Sequence, residues 1–286
     1  MPTLKVIFRT CPFLSKKYAL NNLSKHESLD LTLGSLCESL KDSDFEIVDF
    51  VVVLDGDVSY DFRFLQESLG VPVREVHARD SGNYASFQRV LNEAMKGSAE
   101  YVFLCEDDYF YDPACFQTIA DVTKKLRSQE SSDWFLTPYW HENYDLTQGS
   151  WLSKQRLGAI RSDDYDVYAV PSTTLTFFAP SSSLERYSHF LYLFAFGVPD
   201  YKIWKDITRT KRLSFFDLFF PIPVALRLLY LKLLLRLPKR GLAESGAVLY
   251  AVQPSLSQHL CVEESISPLL SPVAEETLRR IYNDHR

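Results

Sequence analysis

The chain has 286 residues, 46% of them hydrophobic and 14% aromatic, enough to bury the core of one large α/β domain or of such a domain with an appendage. Its 31 Lys and Arg against 37 Asp and Glu give a formal charge of -6, which disfavours a general nucleic-acid binder but not a protein that holds a nucleotide through a metal and backbone donors. Five cysteines (Cys11, Cys37, Cys105, Cys115, Cys261) form no CxxC pair and the opening MPTLKVIFRT has no signal-peptide apolar region, so a reducing, cytoplasmic setting is expected, with the thiols as small core residues.

In chain order, residues 4–8 (LKVIF) predict a first strand that leaves through Arg9, Thr10, Cys11 and Pro12. Leu29, Leu33, Leu36 and Leu40 recur at three and four residues, predicting a helix over 28–40 capped by Ser28 or Asp30. Residues 45–54 are apolar almost throughout, as in a strand covered on both faces, and run into Asp55-Gly56-Asp57. A third strand is expected over 71–77, then a loop through Asn83 and a helix over 84–95.

The stretch 101–113, YVFLCEDDYFYDP, organises the rest. An apolar run stops at three successive acids, Glu106, Asp107 and Asp108, before aromatics and the Asp112-Pro113 turn signal. Three carboxylates at a strand tip repel one another unless something positive lies opposite, and a hard divalent cation with oxygen ligands is the usual partner. The bland alternative is a solvated acidic turn. Strands alternating with helices argue a mostly parallel sheet, whose ligands bind outside the carboxyl ends of the strands. Arg9, Asp55, Asn83 and Asp108 all fall at such ends.

Beyond Ala114 a helix is expected to Arg127, a strand over 134–138, the polar-aromatic loop YWHENYD, and β character over 172–179 (STTLTFFA). Another helix opens near 183–187, and Pro199-Asp200 begins a further one, with the acid in its favourable first turn. Residues 215–237 are far more apolar but are broken by Asp217, Pro221, Pro223, Arg227, Lys232 and Arg236, and the helical part after Pro223 is too short to cross a bilayer that needs about 20 apolar residues. Arg209, Lys211, Arg212, Lys239 and Arg240 flank them, as in a helix resting on anionic lipid; a greasy hairpin packed on the core or on a second subunit reads equally well. A last strand over 248–252 leads into PSLSQH.

Taken in order, Arg9-Thr10, VVVLDGD, GNYASF, FLCEDDYFYDP, STTLTFFA, VPDYKIW and PSLSQH resemble the metal-dependent glycosyltransferases of the GT-A fold, especially the inverting family 2. The resemblance runs through most of the chain. It implies a Rossmann-like α/β fold with a mostly parallel central sheet flanked by helices. Residues 1–212 would form the nucleotide-sugar-binding and catalytic domain, 213–240 an apolar helical segment, and 241–286 a part returning to the site.

The implied activity is hexosyl transfer from a nucleotide-diphosphate sugar to a glycan or lipid-linked acceptor, in polysaccharide synthesis on the cytoplasmic face of a membrane. The EDD cluster is similar to the family's DxD element, which makes Asp108 the direct ligand of Mn²⁺ or Mg²⁺ and Glu106 a contact to ribose or metal-bound water. Asp55 would meet base or ribose, with Arg9, Thr10, Asn83 and Asp107 as further donor contacts. His259 matches the position of a second metal ligand, and Asp200 that of the catalytic base. Two departures stand out: Pro199-Asp200 where the family's typical pair is Glu-Asp, and Phe87-Gln88 where many members have Arg-Asn. Glu142, Asp163 and Asp164 are the alternative bases. A nucleotidyltransferase is the rival of related fold, weakened because RTCPFLSKKY has no phosphate-cradling glycine. A non-catalytic membrane-surface protein is the rival from another class.

Overall fold

The computed structural model describes residues 1–12, 23–78, 82–128, 133–141, 144, 160–208, 226, 246–260 and 268–285. β1 (Thr3–Thr10), β2 (Glu46–Leu54), β3 (Val73–His77) and β4 (Tyr101–Glu106) are joined through α1 (Lys25–Lys41), α2 (Arg63–Leu69) and α3 (Asn83–Ala94). Next come β5 (Tyr109–Tyr111), α4 (Cys115–Ser128), β6 (Trp134–Thr137), the hairpin β7 (Ile160–Arg161) and β8 (Asp166–Ala169), and β9 (Phe177–Pro180). α5 (Ser181–Leu191), a 3-10 turn, α6 (Asp200–Ile207), β10 (Val248–Gln253), β11 (Ser257–His259) and α7 (Pro272–His285) complete the described chain.

The nine-stranded sheet has the order β3-β2-β1-β4-β9-β6-β10-β8-β7, and β11 pairs with β5 in a separate ribbon. β1 is parallel to β2 and β4, β2 to β3, and β10 to β6, while β9 runs against both β4 and β6. The carboxyl ends of β1 to β4, β6 and β10 therefore share one edge, together with the loop that enters β9. This is the mostly parallel α/β sheet expected from the alternation of strands and helices.

Strand alternation distributes the core between the two faces. Leu4, Val6 and Phe8 join Phe50, Val52, Phe103 and Cys105 under α1, α2 and α4. Ile7, Val51, Val53, Val102 and Leu104 point the other way, toward the apolar faces of α3, α5 and α6. A smaller cluster of Leu23, Phe110, Leu260, Leu269, Leu278 and Tyr282 fixes α7 beside the ribbon.

Three expectations are corrected. α1 starts at Lys25, capped by Ser24 and not by Ser28 or Asp30, because Ser24 and Glu27 form a reciprocal capping box (3.2 and 2.7 Å). The Ser28 hydroxyl is engaged elsewhere, donating to the Asp107 carbonyl at 3.0 Å. β2 is covered on both faces only from Phe50 onward; Val48 is 42% exposed, and Asp49 ion-pairs with Lys5 and Arg74. The β run over 172–179 is a strand only from Phe177, since hydroxyls before it bond outside a ladder: Thr173 Oγ1 donates to Thr137 Oγ1 at 2.8 Å. Of residues 215–237 only Leu226 is described, helical and 59% exposed; the rest of that expectation lies outside the described residues.

Candidate functional site

Arg9, the penultimate residue of β1, reaches across to the end of β4 and ion-pairs with Glu106 through Nη2. Its Nη1 donates to the main-chain carbonyl of Asn83 at 2.9 Å, so three of the expected ligand residues meet at one point. Asp55 leaves β2 next to them. Its carboxylate accepts from the Gly82 N–H at 2.7 Å, and Gly82 (φ +116°) caps α3. Gly56 (φ +93°) turns the chain against the Pro12 ring, where an added Cβ would lie 3.4 Å away. Thr10 is buried, and its carbonyl accepts from the Asp55 N–H at 2.8 Å.

The three acids have different partners. Glu106 has Arg9. Asp107 turns inward and ion-pairs with Lys25, accepts from the Cys11 N–H at 3.1 Å, and through its carbonyl accepts from Ser28 and from Thr32 (3.2 Å). Asp108 faces His259, whose Nε2 lies 3.0 Å from Oδ2. The opposite oxygen, Asp108 Oδ1, is buried and has no hydrogen-bond partner among the described residues.

Pairing of β5 with β11 sets that last contact, with Tyr109 directly opposite His259 and the Leu260 N–H donating to the Asp108 carbonyl at 2.7 Å. Tyr109 stacks on the His259 ring (centroids 5.1 Å, 26° between planes), and Tyr139 meets it edge-on at 6.4 Å. From α7 the Tyr282 hydroxyl donates to the His259 carbonyl at 2.9 Å. Asp112 fastens the same region: fully buried, it accepts from the N–H groups of Ala114 (2.9 Å) and Ser271 (2.6 Å).

Beside this centre lies a cavity of about 410 Å³ lined by Tyr139, Tyr144, residues 171–174, His141, Tyr201, Lys205 and Asp200. Asp200 opens α6, where its Oδ1 accepts from the Tyr201 N–H at 2.6 Å. The floor is tied to the acid cluster by the Tyr109 hydroxyl, 2.8 Å from Thr174 Oγ1. Among the lining residues Asp200 is the one carboxylate.

Electrostatics separate the acids further. Burial pushes Asp200 above the ordinary carboxylate value, against lowering by the Tyr201 N–H and by His141, so it is the better proton acceptor. Burial also raises Glu106; Arg9 opposes this, Asp108 and Asp107 reinforce it, and the net is upward. For Asp108 burial again acts upward, but His259, with Lys25 and Arg9 behind it, outweighs it and holds the carboxyl low.

The donors suit a divalent cation. Asp108 supplies an ionised carboxylate with an orphaned buried oxygen, and His259 an imidazole beside it. Among the described residues no group of three or more His, Cys, Asp or Glu forms a full metal cage. The set fits a cation that takes its remaining ligands from a diphosphate and water, as Mg²⁺-type sites do.

Of the residues expected from sequence, Arg9, Asn83 and Glu106 come together, Asp55 adjoins them, and Asp108 meets His259. Asp200 sits in the separate cavity. Asp163 and Asp164 are exposed in the turn between β7 and β8 and do not line it, and Glu142 lies outside the described residues. Sequence reasoning missed Lys25, Tyr109, Thr174 and His141. Tyr109 carried the one available signal, as an aromatic directly after the acid cluster.

No protein-family model matches the chain, and no curated protein matches it in sequence. Among solved structures it is similar to S. aureus TarS 1-349 in complex with UDP-GlcNAc, at 13% identity and TM-score 0.39, covering 65% of this chain and 47% of that one. It is also similar to the mannosyltransferase PcManGT from Pyrobaculum calidifontis in complex with GDP-Man and Mn²⁺, at 17% identity and TM-score 0.39, over 65% and 46%. A cytidylyltransferase from Leptospira borgpetersenii serovar Hardjo-bovis matches at 16% identity and TM-score 0.35, over 66% and 64%. The chain spans 29% of the longer TarS structure and less than two thirds of each of these three.

Proposed function

We propose that this chain is an inverting glycosyltransferase that moves a sugar from a nucleoside-diphosphate sugar to an acceptor hydroxyl, in the manner of GT-A family 2. The observation that carries the reading is the pairing of two stations on one sheet edge. One is Asp108 with His259 and an orphaned oxygen; the other is Asp200, a carboxyl raised by burial in its own cavity.

In this reading the donor diphosphate lies across the ends of β1, β2 and β4, with Asp55, Asn83, Thr10 and Arg9 toward the nucleoside. Arg9 and Lys25 already balance Glu106 and Asp107, so of the three acids an incoming diphosphate meets only Asp108 without a Lys or Arg ion pair. Asp108 and His259 would hold Mn²⁺ or Mg²⁺, which when bound neutralises charge developing on the leaving diphosphate. Asp200 takes the proton of the acceptor hydroxyl as its oxygen bonds to the anomeric carbon and the bond to the diphosphate breaks. A single displacement inverts the anomeric carbon, whereas double displacement needs a second carboxylate as nucleophile. The described cavity lining offers Asp200 alone. Tyr139, Tyr144 and Tyr201 around the cavity suit a sugar-bearing acceptor. The basic, apolar stretch within 213–240 suits a lipid-linked one at a membrane surface.

Isothermal titration with UDP, GDP and CDP, each with and without Mn²⁺, tests the reading. Mn²⁺-dependent, saturable binding of at least one is expected, followed by slow hydrolysis of the matching nucleotide sugar. Release of pyrophosphate from a nucleoside triphosphate and a sugar phosphate would instead assign a nucleotidyltransferase. No binding of any nucleotide would sink the transferase reading.

A further inference from the structure

We infer that Tyr109 is a positioning residue with two separable tasks: its ring sets the His259 imidazole, and its hydroxyl ties the β5–β11 ribbon to the acceptor-side loop. The inference rests on the transferase reading above and deepens it.

Tyr109 follows Asp108 directly, is 1% exposed, and lies opposite His259 in the ribbon. Its ring covers one face of the imidazole at 5.1 Å, while Tyr139 stands edge-on to both rings, 5.8 Å from Tyr109 and 6.4 Å from His259. A histidine walled in this way keeps one ring orientation, and with it the 3.0 Å approach of Nε2 to Asp108. Phenylalanine would fill the same volume. The hydroxyl therefore needs its own explanation, because burying an O–H without a partner is costly.

That partner is Thr174, at 2.8 Å. Thr174 belongs to the loop that lines the Asp200 cavity and runs into β9, so one side chain touches both stations. Thr173, next to it, is anchored to Thr137 on β6. The loop is thus held from below by β6 and from the side by Tyr109. A change at the acid cluster has a direct mechanical route to the floor of the cavity, through one stacked ring and one hydrogen bond.

The two tasks predict different losses. Removing the ring should act on the metal side, where groups that orient a ligating histidine are worth about 10–100-fold in metal affinity. Removing only the hydroxyl should leave that affinity and cut the link to the loop. The test uses the full chain with Mn²⁺ and UDP or GDP as probes. Isothermal titration measures affinity, and hydrogen–deuterium exchange follows residues 171–176.

Wild type should gain protection at 171–176 when Mn²⁺ and nucleotide bind. Tyr109→Phe should bind within about twofold of wild type and lose that gain, and Thr174→Val should reproduce it, with no further loss in the double variant. Tyr109→Leu should lose about tenfold or more in Mn²⁺-dependent affinity, rescued by Phe at the same position, with Mn²⁺-independent affinity unchanged. Wild-type binding that survives Tyr109→Leu, or protection that survives both Tyr109→Phe and Thr174→Val, overturns this inference alone. The two conservative variants decide the matter if Tyr109→Leu does not fold. A wild type that binds no nucleotide with Mn²⁺ overturns the transferase reading and this inference with it.

Discussion

Replacing Asp112 with alanine should loosen the part of the fold that carries His259. The buried carboxylate accepts one N–H at the entry to α4 and another at the entry to α7, at 2.9 and 2.6 Å. Alanine strands both donors. Each unsatisfied buried group costs about 1–3 kcal/mol, so the sum is roughly 2–6 kcal/mol, nearer the lower figure if water reaches either N–H. For a chain of this size a kilocalorie corresponds to about 2–4 °C in Tm, so a drop on the order of 5–20 °C is expected by calorimetry. Asp112→Asn keeps one acceptor and should fall between. The loss should also be local, since Ser271 opens the helix from which Tyr282 bonds the His259 carbonyl. Leu184→Ala, a cavity on the opposite face of the sheet, serves as a control of similar thermal cost. At 20 °C, Mn²⁺-dependent nucleotide binding should weaken in Asp112→Ala and not in the control. A Tm within about 1 °C of wild type would refute the buried-acceptor argument, and equal weakening in both variants would refute the local one.

Four other outcomes are expected. Asp108→Asn should abolish Mn²⁺-dependent nucleotide binding and leave the melting curve nearly unchanged, because it removes a charged ligand without opening a cavity; unchanged titration isotherms would remove Asp108 from the metal site. Asp200→Asn should retain donor binding and lose turnover by about 10²-fold or more. In the wild type, turnover should rise with pH through a carboxyl pKa above the usual 3.8, since the base works only when deprotonated; a flat acidic limb would exclude Asp200. Wild type should co-sediment with anionic liposomes at low salt more than a variant with Arg227, Lys232 and Arg236 changed to Glu, each charge contributing about 1 kcal/mol. Equal partitioning would favour the packed hairpin.

The strand-end chemistry was legible because acids abruptly ending apolar runs are conspicuous, and a parallel sheet brings such ends to one edge. Arg9 and Glu106 were each placed at a strand end; that they are neighbours comes from the register of β1 against β4. What the sequence did not disclose was pairing. Nothing local says that Lys25 neutralises Asp107, since that choice depends on what lies across the fold. The cap of α1 was legible and overlooked, because Ser24-Lys25-His26-Glu27 has the S-x-x-E spacing of a capping box. Polar β-branched residues misled in another way. Thr173 and Thr174 have strand propensity, yet their hydroxyls bond to other elements and keep the loop out of the sheet. The ribbon of β5 and β11 was invisible because each member has only three residues, separated by some 145 positions.

The position of β6 between β9 and β10 has a consequence for the order in which the protein is made. β1 to β3 find their partners within the first hundred or so residues and β4 its pairing with β1, so these four strands can close on one another while the ribosome is still translating the rest, with only the far edge of β4 waiting for β9. β6 cannot. One of its edges waits for β9 and the other for β10, whose register begins Val248 against Trp134. Trp134, Phe135 and Leu136 therefore emerge as an apolar strand with both edges open, the kind of segment that pairs with the wrong chain. Nascent chains halted before β10 should engage chaperones through this strand, and aggregation, more than lost chemistry, is the natural first symptom of damage to the final strand of the sheet.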